Sequence, residues 1–187
     1  MEDQTPGWDA IQSAVEATVP AQEPLHWGTN NLPGQGVYGL SAYRGDDHWF
    51  LVTFGLSELF TKDSDNPAVS GFGIELTMRI PLTDTPPTWA PNLLKKLGDY
   101  VHSSGRVFAE GHRMDPGGPI TGAPGTNLTA LAFTEDPALG TIDTPHGTLQ
   151  FLTVVGITVD ELNRAKASST TAVLAGLGPL LVTDPER

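Results

Sequence analysis

The chain has no cysteine. Disulfides and thiolate zinc sites are therefore excluded, and a reducing compartment, the cytoplasm, is the expected location. Basic residues are also scarce: 10 Lys and Arg stand against 22 Asp and Glu, a formal net charge of −12 over 187 residues. Neutralising a phosphate backbone needs clustered Lys and Arg, so nucleic acid is not an expected partner. Anionic membrane surfaces are disfavoured for the same reason. The charge favours solubility and would steer a basic protein partner inward. No uncharged apolar run approaches the roughly 20 residues that span a bilayer. The opening stretch MEDQTPGWDA lacks the basic and apolar regions of a secretory leader.

Catalytic signatures are missing as well. The histidines stand at His26, His48, His102, His112 and His146, with no i, i+4 pair and no HExxH motif. No metal ligand set and no cofactor is expected. GLSELF does not form a G-x-S-x-G elbow around Ser57. GFGIEL lacks G-x-G-x-x-G and leads into a strand, so no helix N-terminus waits there for a phosphate. Glu58, Asp63 and Asp65 miss the calcium-loop spacing, and Glu135-Asp136-Pro137 reads as a turn.

What is present is periodicity. In SGFGIELTMRI, residues 70–80, Phe72, Ile74, Leu76, Met78 and Ile80 share one parity, which reads as a strand with those side chains on the core. The other face carries Gly71, Gly73, Glu75, Thr77 and Arg79. Glu75 and Arg79 lie four residues apart, roughly 13 Å along a strand, so each must find its own partner. The two glycines are expected to admit a neighbouring element of the same chain. HWFLVTFG, residues 48–55, is apolar on both parities and reads as a strand covered on both sides.

Further strands are expected over 39–43, 128–134 and 148–158, an extended segment over 106–112, and a terminal strand and tail from Leu180. Residues 25–33 and the EDPALG stretch read as loop and turn. Residues 8–19 are predicted to form a first helix, ended by Pro20. Leu93, Leu94, Leu97, Tyr100 and Val101 make one stripe of a helix over 92–104, with Gly105 at its C′ position. Thr158 and Glu161 form a capping box that opens a helix to about Ala167, and a short last helix falls within 168–177. Mixed elements without strict alternation predict an α+β fold: a mixed, mainly antiparallel sheet covered by two or three helices.

The stretches GLSAYR, HWFLVTFGLSELF, SGFGIELTMRI, PPTWAPNLLKKLGDYV, LAFTEDP, DTPHGTLQFLTVVGIT and GPLLVTD resemble the Suppressor of fused (SUFU) family, in the family's order and over about residues 25–184. The resemblance implies one SUFU-like domain over 1–187, of the single-domain bacterial type, with its core over 25–184 and an N-terminal helix over 8–19. It implies binding without catalysis. Animal members restrain a transcription factor by clamping a peptide, which adds as a strand beside a helix Tyr and an acidic strand residue. Those positions match Tyr100 and His112, where the local EGHRMD departs from the family. Bacterial members resemble immunity proteins that neutralise polymorphic toxins. The partner-binding residues expected here are Tyr100, Val107, Ala109, Glu110, His112 and Asp115. The expected partner is a protein or peptide, for example a basic toxin. Two other classes stay open: a small hydrolase or metal-dependent enzyme built from distant histidines and carboxylates, and an accessory scaffold protein.

Overall fold

The computed structural model describes residues 5–187; the first four, part of the stretch read as lacking a leader, lie outside the described residues. In chain order the elements are α1 (Pro6–Glu16), β1 (Leu25–Gly28), β2 (Gly39–Arg44), β3 (His48–Phe54), β4 (Val69–Pro81), α2 (Trp89–Ser104), β5 (Arg113–Met114), β6 (Leu128–Glu135), β7 (Thr141–Thr144), β8 (Gly147–Thr158), α3 (Val159–Ala167) and α4 (Thr170–Leu174). The strands form one sheet in the order β1-β2-β3-β4-β8-β6-β5, with β7 paired to the start of β8. β4 and β8 run parallel, and the six other described pairings are antiparallel. The predicted α+β class holds. Four helices rather than two or three cover the sheet among the described residues.

Strand parity divides the core into two faces. Leu51, Leu76, Met78, Leu131, Phe133 and Val154 pack with Leu94, Leu97 and Val101 under α2. Their neighbours Phe50, Val52 and Phe54 pack under Ile11 and Val15 of α1, while Ala130, Ala132, Val155 and Ile157 pack against Leu162 of α3 and Leu174 of α4. Each large apolar side chain buried in this way stabilises the fold by about 1.5–3 kcal/mol. α2 starts three residues earlier than its stripe suggested. Pro91 falls in its first turn, where a missing N–H costs no helical bond. Gly105 ends it at φ 68°, the left-handed position expected of it. The capping box of Thr158 and Glu161 is formed in full.

Four expectations change. α1 stops at Glu16, short of Val19, because the Thr18 hydroxyl donates to the Val15 carbonyl at 2.9 Å and closes the last turn. β1 lies in the segment read as loop, and β7 follows the EDPALG turn in a stretch to which no element was assigned. The terminal segment is not a strand. It is pinned instead by the Thr183 amide on the Arg79 carbonyl, by Thr183 Oγ1 accepting from the Gly156 amide, and by Arg187 on Glu161. Phe72 is half-buried at the rim of a cleft, unlike its fully buried partners Leu76 and Met78.

The polar face of β4 is buried rather than wet. Arg79 makes a two-pronged pair with Asp136 at 2.8 and 3.0 Å and lies 4.3 Å over the Phe50 ring. Thr77 adds a third bond to the same carboxylate at 2.6 Å. Burial would raise the Asp136 carboxyl, but the bonds and charge of Arg79, with Thr77 and the Ala138 amide, outweigh it and hold it below its usual range. Glu75 takes another route. Its fully buried carboxylate accepts from the amides of Gly55, Leu56 and Ser57 and the hydroxyls of Ser57 and Thr53. Apart from Thr53 of β3, those donors belong to the GLS loop, which passes against Gly71: a Cβ there would stand 2.8 Å from the Leu56 carbonyl oxygen. The element that Gly71 admits is therefore this loop of the same chain. Burial pushes Glu75 up to about 7, against the pull of its donors.

Candidate functional site

One edge of the sheet ends in β5, two residues long and paired only with β6. Its shape follows from local chemistry. The His112 amide donates to the Ala109 carbonyl at 3.0 Å, closing a turn with Gly111 at φ 83°. Gly111 and His112 together oppose Phe133: the Gly111 amide donates to the Phe133 carbonyl, and the Phe133 amide donates to the His112 carbonyl, both at 2.9 Å. Two residues facing one make a bulge. Antiparallel ladders alternate, so the next residue, Arg113, turns its N–H and C=O away from β6 and toward the open edge.

The expected extended segment over 106–112 is thus corrected. Residues 106–109 pair with no strand, and ladder geometry begins only at the bulge, where Gly111 sets the turn. Of the expected site residues, Tyr100 sits half-buried on α2, its ring 5.8 Å from Phe108, which stacks in turn on Phe133 at 4.2 Å. Val107 is exposed beside this aromatic shelf. Ala109 and His112 meet directly: the Ala109 amide donates to His112 Nδ1 at 3.2 Å, so that nitrogen is the acceptor and Nε2 is left for a partner. Glu110 is exposed and receives a long bond from the Thr134 hydroxyl at 3.5 Å. Asp115 is exposed and accepts the Gly117 amide at 2.9 Å, so it shapes the turn after β5. His112, Asp115 and Lys166 of α3 border one shallow hollow of about 360 Å³. Charges of both signs meet there, so the net acidity of the chain is not concentrated at this edge.

Phe108, Phe133 and Arg113 were absent from the sequence reading of this site. The parity of LTALAFT places Phe133 with Leu131, but nothing local says that Phe108 stacks on it. Among the described residues, no three His, Asp or Glu side chains gather in a way that could hold a metal ion, and no helix is long and apolar enough to cross a membrane.

A second concavity opens on the other side of the α2 C-terminus. It holds about 350 Å³ and is lined by Pro33, Leu56, Phe60, Phe72 and His102, with Asp63 at its border. His102 Nε2 lies 2.9 Å from the Gly55 carbonyl and therefore donates to it, while the ring stands edge-on to Phe72 at 4.9 Å. Glu58 anchors the border by accepting from Lys62 Nζ and the amides of Asp63, Ser64 and Gly71. Burial alone would raise the Glu58 carboxyl, but Lys62 and those amides outweigh it and lower it to about 2.

A sequence model of the Suppressor of fused protein (SUFU) family matches residues 35–187. The human Suppressor of fused homolog is 32% identical over 158 residues, covering 75% of this chain, and the mouse homolog matches equally. The chain spans about a third of the length of these relatives, 32%. A chain of the Sufu–Fu complex superposes with a TM-score of 0.90 at 29% identity, covering 98% of this chain and 92% of its own length. Drosophila Suppressor of Fused superposes at 0.89 and 30% identity, over all of this chain and 51% of that one. A SUFU homologue from Neisseria gonorrhoeae shares the fold, with a TM-score of 0.60 at 13% identity over 91% of this chain and 88% of that one. With the family match running from before β2 to the last residue, and the sheet order, capping box and buried β4 in place, the chain belongs to the Suppressor of fused family.

Proposed function

We propose that this chain forms one SUFU-like domain that works by binding a protein or peptide and not by catalysis, and that its partner adds as a strand at the β5 edge. The observation that carries the reading is Arg113, whose main-chain donor and acceptor face outward beside the Tyr100–Phe108 shelf. That a relative forms the Sufu–Fu complex supports the choice of a protein partner. Tyr100, Val107, Ala109, Glu110, His112 and Asp115 flank the added strand and select its side chains.

The finer reading is an immunity-type role in the cytoplasm, in which the domain neutralises a basic toxin. The formal charge of −12 supports it, since opposite charge speeds encounter. The test is co-expression with the product of the neighbouring gene, scored by growth and by pull-down. Arg113→Pro removes the outward N–H without touching a ladder bond to β6, because proline is tolerated on an edge strand. It is expected to abolish capture while the unfolding midpoint stays near wild type. Capture unaffected by Arg113→Pro and Tyr100→Ala would refute the edge. Failure of every neighbouring product to be bound or neutralised would refute the immunity role.

A further inference from the structure

The cleft lined by Leu56, Phe60, Phe72 and His102 is not part of the β5 edge. Tyr100 and His102 are two residues apart on α2, roughly 200° around the helix, so one faces the Phe108 shelf and the other the cleft. The cleft floor has its polar groups already satisfied. The Leu56 carbonyl accepts from Phe72, and the Gly55, Leu56 and Ser57 amides point back into Glu75. The border amides of Asp63, Ser64 and Gly71 are held by Glu58. What remains for an incoming group is apolar surface on a rigid frame, and Leu32, 62% exposed, stands next to the lining residue Pro33.

The charge around it has one sign. No Lys or Arg lines the cleft, and the nearby Lys62 is bound to Glu58 at 2.8 Å. Asp63 is exposed at the opening and Asp65 is exposed two residues on. The volume of about 350 Å³ is at the small end of ligand pockets, which run from roughly 300 to 1,000 Å³. It suits one or two side chains of a docked segment.

From this geometry we propose a second docking site, independent of strand addition: the cleft takes an aliphatic or aromatic side chain from a partner segment flanked by Lys or Arg. The apolar walls hold the anchor, and the Asp63 border selects the basic flank. A preformed floor keeps the ordering cost of binding low.

The test is a titration of the isotope-labelled full chain, followed by NMR, with the peptide Lys-Arg-Phe-Leu-Arg-Lys and its charge-reversed twin Glu-Asp-Phe-Leu-Asp-Glu. The expected result is movement of the Leu56, Phe60 and Phe72 amide signals and the His102 ring signals with the basic peptide, at least tenfold weaker with the acidic one. Thr61→Trp, at an exposed lining position, fills the opening and is expected to abolish those shifts; Asp63→Lys weakens them about fivefold. Both variants should unfold at the wild-type temperature, and Arg113→Pro should leave the titration unchanged. If Thr61→Trp proves unstable, Asp63→Lys and the peptide pair decide the matter. Shifts scattered over the acidic surface, equal binding of the two peptides, or no cleft shifts at millimolar peptide would overturn the proposal.

Discussion

Glu75→Gln should make the protein less sensitive to pH, and more stable than wild type above neutrality. The Glu75 carboxylate is fully buried and has no cation against it; its partners are three amides and two hydroxyls. Desolvation favours the protonated form and the donors favour the anion, and burial wins by enough to raise the group from 4.5 to about 7. The folded state therefore binds a proton more tightly than the unfolded state between those values. Stability is full below pH 4.5 and falls as pH rises to about 7, by about 3 kcal/mol from this group. Glutamine keeps Oε1 for the Gly55, Leu56 and Ser57 amides and turns Nε2 toward Thr53 Oγ1, which already accepts the Leu76 amide and has a second lone pair. The neutral side chain loses nothing across that window. His26, whose pKa is lowered by burial from the ordinary 6.5, acts in the opposite direction, so absolute profiles mix the two. The difference between wild type and Glu75→Gln cancels that contribution. Urea unfolding of both proteins at several points from pH 4.5 to 8.5 measures it. A difference that stays flat, or a wild type that gains on the variant as pH rises, would show that the five donors outweigh burial and would refute the reasoning.

Glu75→Ala is a harsher change: it leaves three buried amides without an acceptor at about 1–3 kcal/mol each, so little folded protein is expected on size-exclusion chromatography. Asp136→Ala strands the buried Arg79 guanidinium and should cost about 3–5 kcal/mol in chemical unfolding. Gly73→Val places a β-branched residue at φ 75° with its Cβ 2.7 Å from the Val69 side chain, so stability should drop by about 2 kcal/mol or more; a stable variant that merely failed to bind would contradict this. Because Asp136 and Glu58 are both lowered, their stabilisation is present at neutral pH and lost as pH falls through the acid range, below the Glu75 window. A Glu58→Gln variant should lose less stability than wild type between pH 4 and 2.

The helices and central strands could be read from the sequence because one apolar period governs each: the stripe of α2 and the even-numbered residues of β4 need no partner to be recognised. The opposite face of β4 could not be read in the same way. Its charged residues are each expected to find a partner, but no local pattern names it: Arg79 meets Asp136 across 57 residues and Glu75 meets a loop 18 to 20 residues back. Only topology brings those groups together. β1 and β7 were missed because four-residue edge strands with half-exposed side chains carry too little alternation to stand out from loop. The apolar LLV near the terminus misled in the other direction: Leu181 is buried against α3 and α4, but hydrogen bonds of Thr183 hold the segment, with no ladder.

The length of β5 bears on how a partner would be selected under the proposed strand addition. A strand added to a two-residue edge gains few main-chain bonds, each worth about 1 kcal/mol net, so the backbone alone cannot give tight binding. Affinity must come from side chains set beside the edge on rigid supports. α2 is the support: Leu94, Leu97 and Val101 lock it against the sheet, and its last turns present Tyr100 on one flank and His102 on the other. The residues proposed to tune recognition could then change freely, because Val107, Ala109, Glu110, His112 and Asp115 are exposed and carry none of the core packing. A short edge guards against unwanted strand pairing, and under the proposed mode the rigid helix beside it would supply the specificity.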